Sequence, residues 1–167
     1  EVGLGGRLDA TNVITPRVAV ITSLSYDHTA VLGDTLAKIA GEKAGIIKPH
    51  VPAVSSPQKQ EALAVLEKVA AERHADLSLV GVDWLYAVEK HSLAGQEFLV
   101  WEPGLEHVRL QIPLLGEYQV TNAVTAYAAL KQGGFSLSEA EIAKGFAAVR
   151  WPCRFEIASR ENPTLIF

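Results

Sequence analysis

A short apolar run, Val18–Leu24, constrains the fold of this chain more than any other feature. It is rich in β-branched residues and does not alternate between apolar and polar positions, which is typical of a strand buried on both faces of a parallel sheet. Further short strands are predicted at Val51–Ser56 and Leu77–Val80. Helical patterns separate these three segments, and the order strand, helix, strand, helix, strand indicates a parallel α/β layer.

The two helices between these strands are predicted at Thr35–Ile47 and Gln58–Arg73. Asp34 precedes the first helix and belongs to the residue types that cap helix N-termini. Apolar residues of the second helix recur at the spacing of one helix face; they are Ala62, Leu63, Leu66, Val69 and Ala70. We therefore expect helices flanking the sheet.

The middle of the chain has a different pattern. Trp84–Val88, Glu97–Trp101 and His107–Ile112 are short, partly alternating segments broken by turns that contain Gly or Pro. This pattern predicts antiparallel hairpins that form a small β element beside the main sheet.

Two more helices are predicted after the hairpins, at Gln119–Gln132 and Ser138–Val149. Ser138 is followed three residues later by Glu141, which fits a capping box at the start of the second helix.

Composition and charge exclude several functional classes. A net charge of −4 with no basic run argues against nucleic acid as a partner. The longest apolar runs are too short to span a bilayer, so no membrane partner is expected. The single cysteine, Cys153, cannot form an internal disulfide and suits a reducing compartment, so we expect a cytoplasmic protein.

The ends of the chain indicate a piece of a longer protein. The sequence contains no methionine, and it closes on the apolar run Thr164–Phe167. Folded domains seldom stop inside a buried strand. We expect a fold that is incomplete at both ends, and an unpaired sheet edge of this kind would favour self-association.

Polar residues follow glycines in the opening segment, Glu1–Asn12, which has three glycines in its first six residues. Glycine lets backbone approach a ligand closely, although a tight loop explains the same pattern. Glu1 precedes the turn and is expected at the carboxyl end of a strand, where open α/β sheets bind their ligands.

Asp27 and His28 follow the first predicted strand and are expected at the same edge of the sheet. A neutral histidine there could ligate a metal or contact phosphate; a surface loop histidine is the alternative.

Lys43 lies on the first predicted helix in line with the apolar residues Leu36 and Ile39. A lysine in that position either extends its ammonium outward or meets a partner. Buried lysines lose their charge readily and become modifiable nucleophiles. Glu42 lies elsewhere around the helix and is expected to be solvated.

Two later segments could contact phosphate. Asn122 lies in the first turn of the predicted helix after Gly116, where it could cap the helix or face a ligand. Arg154 follows Trp151-Pro152-Cys153 and could clamp a phosphate or be an ordinary surface arginine. The sequence contains no G-x-x-x-x-G-K-[ST] phosphate loop.

Taken in order, five segments resemble successive signatures of the folylpolyglutamate synthase/dihydrofolate synthase group of the Mur ligase family. They are Glu1–Asn12, Ile21–Gly33, Glu42–Ile46, Leu114–Ala123 and Trp151–Arg154. The resemblance implies a three-layer central domain with a mostly parallel sheet, flanking helices and a small antiparallel element. It also implies an ATP-dependent amide ligase that adds L-glutamate to dihydropteroate or folate through an acyl phosphate.

The resemblance further implies roles for individual residues. Glu1 and His28 match magnesium ligands, and the resemblance also implies a catalytic role for His28. Lys43 matches a catalytic lysine that becomes carbamylated. A carbamate would explain a lysine on an apolar helix face.

ATP and substrate contacts are implied in the same way. Asn122 and Arg154 match residues that contact the nucleotide, while Asp9 and Ala10 match residues near the pterin-containing substrate.

The same resemblance divides the chain into two parts. Residues 1–150 would be a partial central ATPase domain without its phosphate loop, and residues 151–167 a linker with the first strands of the next domain, predicted at Phe155–Ala158 and Thr164–Phe167. Such a fragment is expected to be inactive alone and its parent monomeric. The alternatives are another Mur-type ligase acting on a peptidoglycan precursor and a non-catalytic binding module.

Overall fold

The structure, a computed structural model, describes residues 1–152, 155, 157–159 and 165–166. In chain order, the elements are a short 3-10 helix Ala10–Val13, β1 Ala19–Ile21, α1 Thr29–Leu32, α2 Leu36–Ala44, β2 Ala53–Ser55, α3 Gln60–Glu72, β3 Leu77–Leu79, β4 Leu85–Ser92, β5 Gly95–Trp101, β6 Val108–Ile112, α4 Glu117–Gln132, α5 Glu139–Ala147, β7 Ile157–Ser159 and β8 Leu165–Ile166.

The predicted parallel sheet is confirmed, with strand order β1–β2–β3. Ala53 of β2 pairs with Ala19 of β1 and with Leu77 of β3. Each strand is three residues long, which is shorter than predicted. The apolar runs extend into the loops because burial continues beyond the ladder, for example at Val51 and Val80.

Helices cover both faces of this sheet. Ile39 of α2 and Leu66 of α3 are fully buried against Ala53, forming one core. Successive strand residues point to opposite faces, so Val54 belongs to a second core with Val124 of α4. The result is the predicted arrangement of helix, sheet and helix.

The predicted antiparallel element is also confirmed, as a three-stranded sheet in the order β4–β5–β6. Phe98 and Leu110 are buried side chains on its inner face and join the core around α4. Trp84, just before β4, meets Tyr127 of α4 edge-on with ring centroids 5.6 Å apart. This small sheet therefore shares a core with α4.

Helix caps show which start signals were predicted correctly. Ser138 and Glu141 form the expected capping box of α5, with each side chain bonded to the other's backbone N–H. Asp34 was wrong as the cap of α2: the Thr35 hydroxyl accepts the Lys38 N–H instead. The Asp34 carboxylate pairs instead with the Lys38 ammonium at 2.8 Å.

The last strands, β7 and β8, pair antiparallel. They lie within or next to the two segments predicted as strands near the end of the chain. Among the described residues, no helix has both the length and the apolar character needed to cross a bilayer.

Candidate functional site

A cavity of about 520 Å³ runs along β1 and brings together the opening loop and α2. Val18, Val20 and Thr22 line it together with the intervening strand residues, so it follows the edge of β1 rather than one face. Among the described strands, β1 pairs only with β2, which leaves this edge open to the cavity. Three charged residues are among those that line it: Glu1, Lys43 and Lys48.

The opening loop, residues 1–12, is ordered around the carboxylate of Asp9. This carboxylate accepts hydrogen bonds from the backbone N–H groups of Gly3, Leu4 and Thr11 and from the Thr11 hydroxyl. The Thr11 hydroxyl, followed by the backbone donors, lowers the pKa of Asp9 from 3.8 to about 2. Asp9 also caps the short 3-10 helix, whose first residue is the exposed Ala10. The described role of Asp9 is thus to hold the loop in shape.

The end of this loop is tied to the C-terminal end of α2. The Asn12 side-chain amide donates to the Gly45 carbonyl at 3.1 Å, and the Lys48 ammonium donates to the Asn12 carbonyl at 2.6 Å. The Asn12 amide thereby satisfies a carbonyl group of the kind that a helix end leaves without a helical partner. Two of the five segments that resemble family signatures, Glu1–Asn12 and Glu42–Ile46, are in contact in the fold.

Lys43 lies in the last turn of α2, half-buried, and it lines the cavity. Its ammonium has no hydrogen bond or ion pair within the described part of the chain. The expectation was that this lysine either meets a partner or extends outward; in the structure it lines an open cavity. Glu42, which was expected to be solvated, is partly exposed and pairs with Arg7 at 2.9 Å.

His28 lies outside the group of residues that line the cavity. It precedes the short helix α1 in a left-handed backbone conformation, with φ of 48°. Its backbone N–H donates to the Asp27 carboxylate at 2.8 Å, and its Nε2 lies 3.6 Å from the other carboxylate oxygen. Both side chains are largely exposed. The loop after β1 thus exposes His28 to solvent. His28 is not among the residues that line the cavity with Glu1 and Lys43.

Gln58 fixes the start of that loop, a role that sequence reasoning missed. Its Oε1 accepts the Leu24 N–H at 3.0 Å, while its Nε2 donates to the Thr22 carbonyl at 2.9 Å and to the Ser55 hydroxyl at 3.1 Å. The side-chain amide therefore continues the hydrogen bonding of β1 where the β2 backbone turns away. A glutamine directly after Pro57 at the end of a predicted strand was the available signal.

Asn122 differs from its predicted position. Helix α4 begins at Glu117 rather than Gln119, so Asn122 is in the second turn and does not cap the helix. Gly116 takes the N-cap position with φ of 99°, a conformation that favours glycine. The helix therefore begins two residues earlier than predicted. The exposed Asn122 amide reaches the Gln119 side chain at 3.4 Å.

Two further expectations concern Arg154 and the metal. Arg154 and Cys153 lie outside the described residues. Within the described ranges, no group of three or more His, Cys, Asp or Glu side chains is arranged to hold a metal ion. Mg²⁺ commonly binds proteins through only one or two carboxylates and takes its other ligands from water and substrate phosphates. Glu1, the one acidic residue among the described residues that line the cavity, fits that mode of binding.

The chain matches the family described as Mur ligase middle domain over residues 1–130. It is 44% identical over 168 residues to the dihydrofolate synthase/folylpolyglutamate synthase of Escherichia coli, covering 100% of this chain and 37% of that protein. It is 37% identical over 177 residues to the folylpolyglutamate synthase of Lacticaseibacillus casei, covering 99% of this chain and 40% of that protein.

Solved structures agree with this relationship. The E. coli FolC complex with DHPP and ADP superposes with a TM-score of 0.86 at 40% identity, covering 100% of this chain and 38% of that one. An FPGS–AMPPCP–folate complex superposes with a TM-score of 0.90 at 35% identity, covering 99% and 41%. The chain thus spans about two fifths of the length of these proteins. It belongs to the Mur ligase family, whose middle domain it carries, and within that family its homologues are the folylpolyglutamate and dihydrofolate synthases.

Proposed function

We propose that this chain is the central part of an ATP-dependent amide ligase that adds L-glutamate to dihydropteroate or to folate. The observation that carries the proposal is the docking of the opening loop on α2, with Glu1 and Lys43 on the wall of one cavity. Support comes from relatives named as dihydrofolate and folylpolyglutamate synthases, and from neighbours solved with AMPPCP and folate or with ADP and DHPP.

The proposed reaction makes an amide in two displacements. A substrate carboxylate oxygen attacks the γ-phosphorus of ATP, which forms an acyl phosphate and releases ADP. The amine of L-glutamate then attacks the acyl carbon, phosphate leaves, and the amine loses a proton. Both steps concentrate negative charge on phosphate oxygens, so the site needs preorganised positive charge.

Glu1 and His28 are the residues that we propose to hold Mg²⁺, which would supply that positive charge when bound. Glu1 fits this role because it is the one acidic residue in the described lining of the cavity. His28 would have to approach from the exposed loop after β1, which Gln58 anchors.

Lys43 is proposed to become carbamylated. Its neutral amine would add to CO₂, forming an N–C bond and releasing a proton, so that an anion replaces a cation on the cavity wall. The ammonium has no partner among the described residues, which leaves the nitrogen accessible for this step. A carbamate there would sit on the same wall as Glu1.

Asn122 and Arg154 are proposed ATP contacts, and Asp9 and Ala10 are proposed to lie beside the pterin-containing substrate. Because the carboxylate of Asp9 already orders its loop, we expect it to act on substrate mainly through the shape of that loop. We further propose that residues 1–167 alone do not turn over, since the sequence has no phosphate loop. The full-length ligase would be a cytoplasmic monomer.

An assay of the full-length ligase separates this proposal from its competitors. ADP release and glutamate incorporation would be measured with ATP, Mg²⁺ and L-glutamate, using dihydropteroate, folate or a UDP-linked peptidoglycan precursor as acceptor. We expect turnover with dihydropteroate or folate only. Turnover with the UDP-linked acceptor would identify another Mur-type ligase, and no turnover with any acceptor would indicate a binding module.

A further inference from the structure

Arg7 joins the opening loop to α2 at two points. Its backbone N–H donates to the Glu42 carbonyl at 2.8 Å. Its guanidinium also donates twice to Glu42 Oε1, from Nη2 at 2.9 Å and from Nε at 3.2 Å. One residue of α2 thus receives both the backbone and the side chain of Arg7, immediately before Lys43 in the chain.

Two glycines make this approach possible. A Cβ on Gly45 would lie 2.4 Å from the Cβ of Arg7, and a Cβ on Gly6 would lie 2.9 Å from the Glu42 carbonyl oxygen. Real Cβ atoms do not come this close to other atoms, so the loop and the helix end meet backbone to backbone. Small displacements at this contact therefore move residues 1–12 relative to α2.

The Arg7–Glu42 ion pair adds little to stability by the usual measure. The two side chains are 55% and 29% exposed, and pairs of this kind contribute about 0–1 kcal/mol because solvent screens them. The pair instead connects the two segments that carry Glu1 and Lys43, since Glu42 adjoins Lys43 in the chain and Arg7 belongs to the loop that carries Glu1. Both of those residues line the cavity.

We propose that Arg7 and Glu42 are positioning residues. Their contact fixes the opening loop, which carries Glu1, relative to α2, which carries Lys43. This inference rests on the proposed ligase function, since it assigns the pair a role in that site. Neither Arg7 nor Glu42 lines the cavity itself, so both would act through their neighbours.

The test is a charge exchange in the full-length ligase. Arg7→Glu and Glu42→Arg should each lower kcat roughly tenfold or more, because displacements near 1 Å in an active site cost up to about a hundredfold. We expect the half-saturating Mg²⁺ concentration to rise. The double variant restores opposite charges at the same two positions and should recover most of kcat and of the Mg²⁺ affinity.

Arg7→Lys provides a conservative comparison, and we expect intermediate activity because lysine keeps the charge without the planar fork that reaches one oxygen from two nitrogens. The matched control is the same exchange at Lys90 and Glu97, an exposed pair at 3.1 Å on the antiparallel sheet. Its single and double variants should all turn over as the wild type does.

Hydrogen exchange of residues 1–12 supplies a readout that does not depend on activity. Each single variant should exchange faster in this segment than the wild type, and the double variant should return toward it. Unchanged kcat in both single variants would overturn the proposal, as would a folded double variant with no recovery of kcat. If the wild type has no ligase activity while hydrogen exchange of residues 1–12 follows the expected pattern, the proposed function is wrong. The contact between the opening loop and α2 would still be confirmed.

Discussion

Gly45 lies so close to Arg7 that any side chain at residue 45 would meet the Arg7 backbone: an added Cβ would be 2.5 Å from the Arg7 Cα. The clash is with backbone, which cannot swing away as a long side chain can. We expect Gly45→Ala to destabilise the protein by about 1–3 kcal/mol, as overpacking does, and to loosen residues 1–12.

Gly41 provides the control for this substitution, because it lies in the same helix and an added Cβ would meet nothing within 4 Å. Gly41→Ala should stabilise the protein by about 0.5–1 kcal/mol through helix propensity. Urea denaturation of both variants checks the pair. Equal effects of the two substitutions would contradict the described packing.

Gln58 should matter more than its surface position indicates. Gln58→Ala removes three hydrogen bonds that hold Thr22, Leu24 and Ser55 together. We expect a loss of about 1–3 kcal/mol, because the part-buried Leu24 N–H loses its partner. Faster hydrogen exchange should be confined to the loop after β1. Gln60→Ala, at the exposed start of α3, serves as the control and should change neither quantity.

Asp9 should make the stability of the protein depend on pH in the acid range. Its pKa is about 2 in the folded chain against an ordinary value of 3.8. A depressed folded pKa contributes stability that is fully present above pH 3.8 and is lost as the pH falls toward 2. We expect Asp9→Asn to be less stable than the wild type at pH 7, with the difference shrinking between about pH 4 and pH 2.

Thr11→Val sharpens this prediction, because the Thr11 hydroxyl is the largest cause of the low pKa of Asp9. Valine keeps the shape and removes that donor, so the Asp9 pKa should rise and the acid-sensitive window should narrow. NMR titration of the Asp9 carboxyl carbon in both proteins measures the shift. A midpoint unchanged by Thr11→Val would contradict the described hydrogen bond.

The capping box of α5 offers a test of a feature that the sequence alone predicted. Ser138→Ala removes the hydroxyl that accepts the Glu141 N–H, and we expect a loss of about 1 kcal/mol. Ser136→Ala, in the exposed segment before α5, is the matched control and should leave the thermal midpoint unchanged.

Periodicity and local chemistry were sufficient for most of the fold. Short apolar runs predicted the parallel strands because burial on both faces leaves few alternatives, and the Ser138–Glu141 spacing predicted a cap because it depends on neighbours in the chain. The start of α4 was placed two residues late, since Gly116 sets it through a backbone conformation that no side-chain pattern reports.

The site was predictable only in part, because its geometry depends on contacts between distant segments. The Lys43 position on an apolar helix face was unusual enough to detect. The partner of its neighbour Glu42 was not predicted, since Arg7 lies 35 residues away in the chain. Gln58 was missed for the same reason: its partners Thr22 and Leu24 become neighbours only when β1 and β2 pair.

The proposed role of Lys43 is tested most directly by ligase activity of the full-length protein carrying Lys43→Ala and Lys43→Glu. If a carbamate at Lys43 organises the cavity wall that Glu1 shares, Lys43→Ala should lower kcat roughly a hundredfold or more, as the loss of a preorganised electrostatic group does. Lys43→Glu, which restores an anion on a shorter stem, should retain more activity than alanine. Wild-type kcat in folded Lys43→Ala would contradict the proposal that this lysine serves the ligase site.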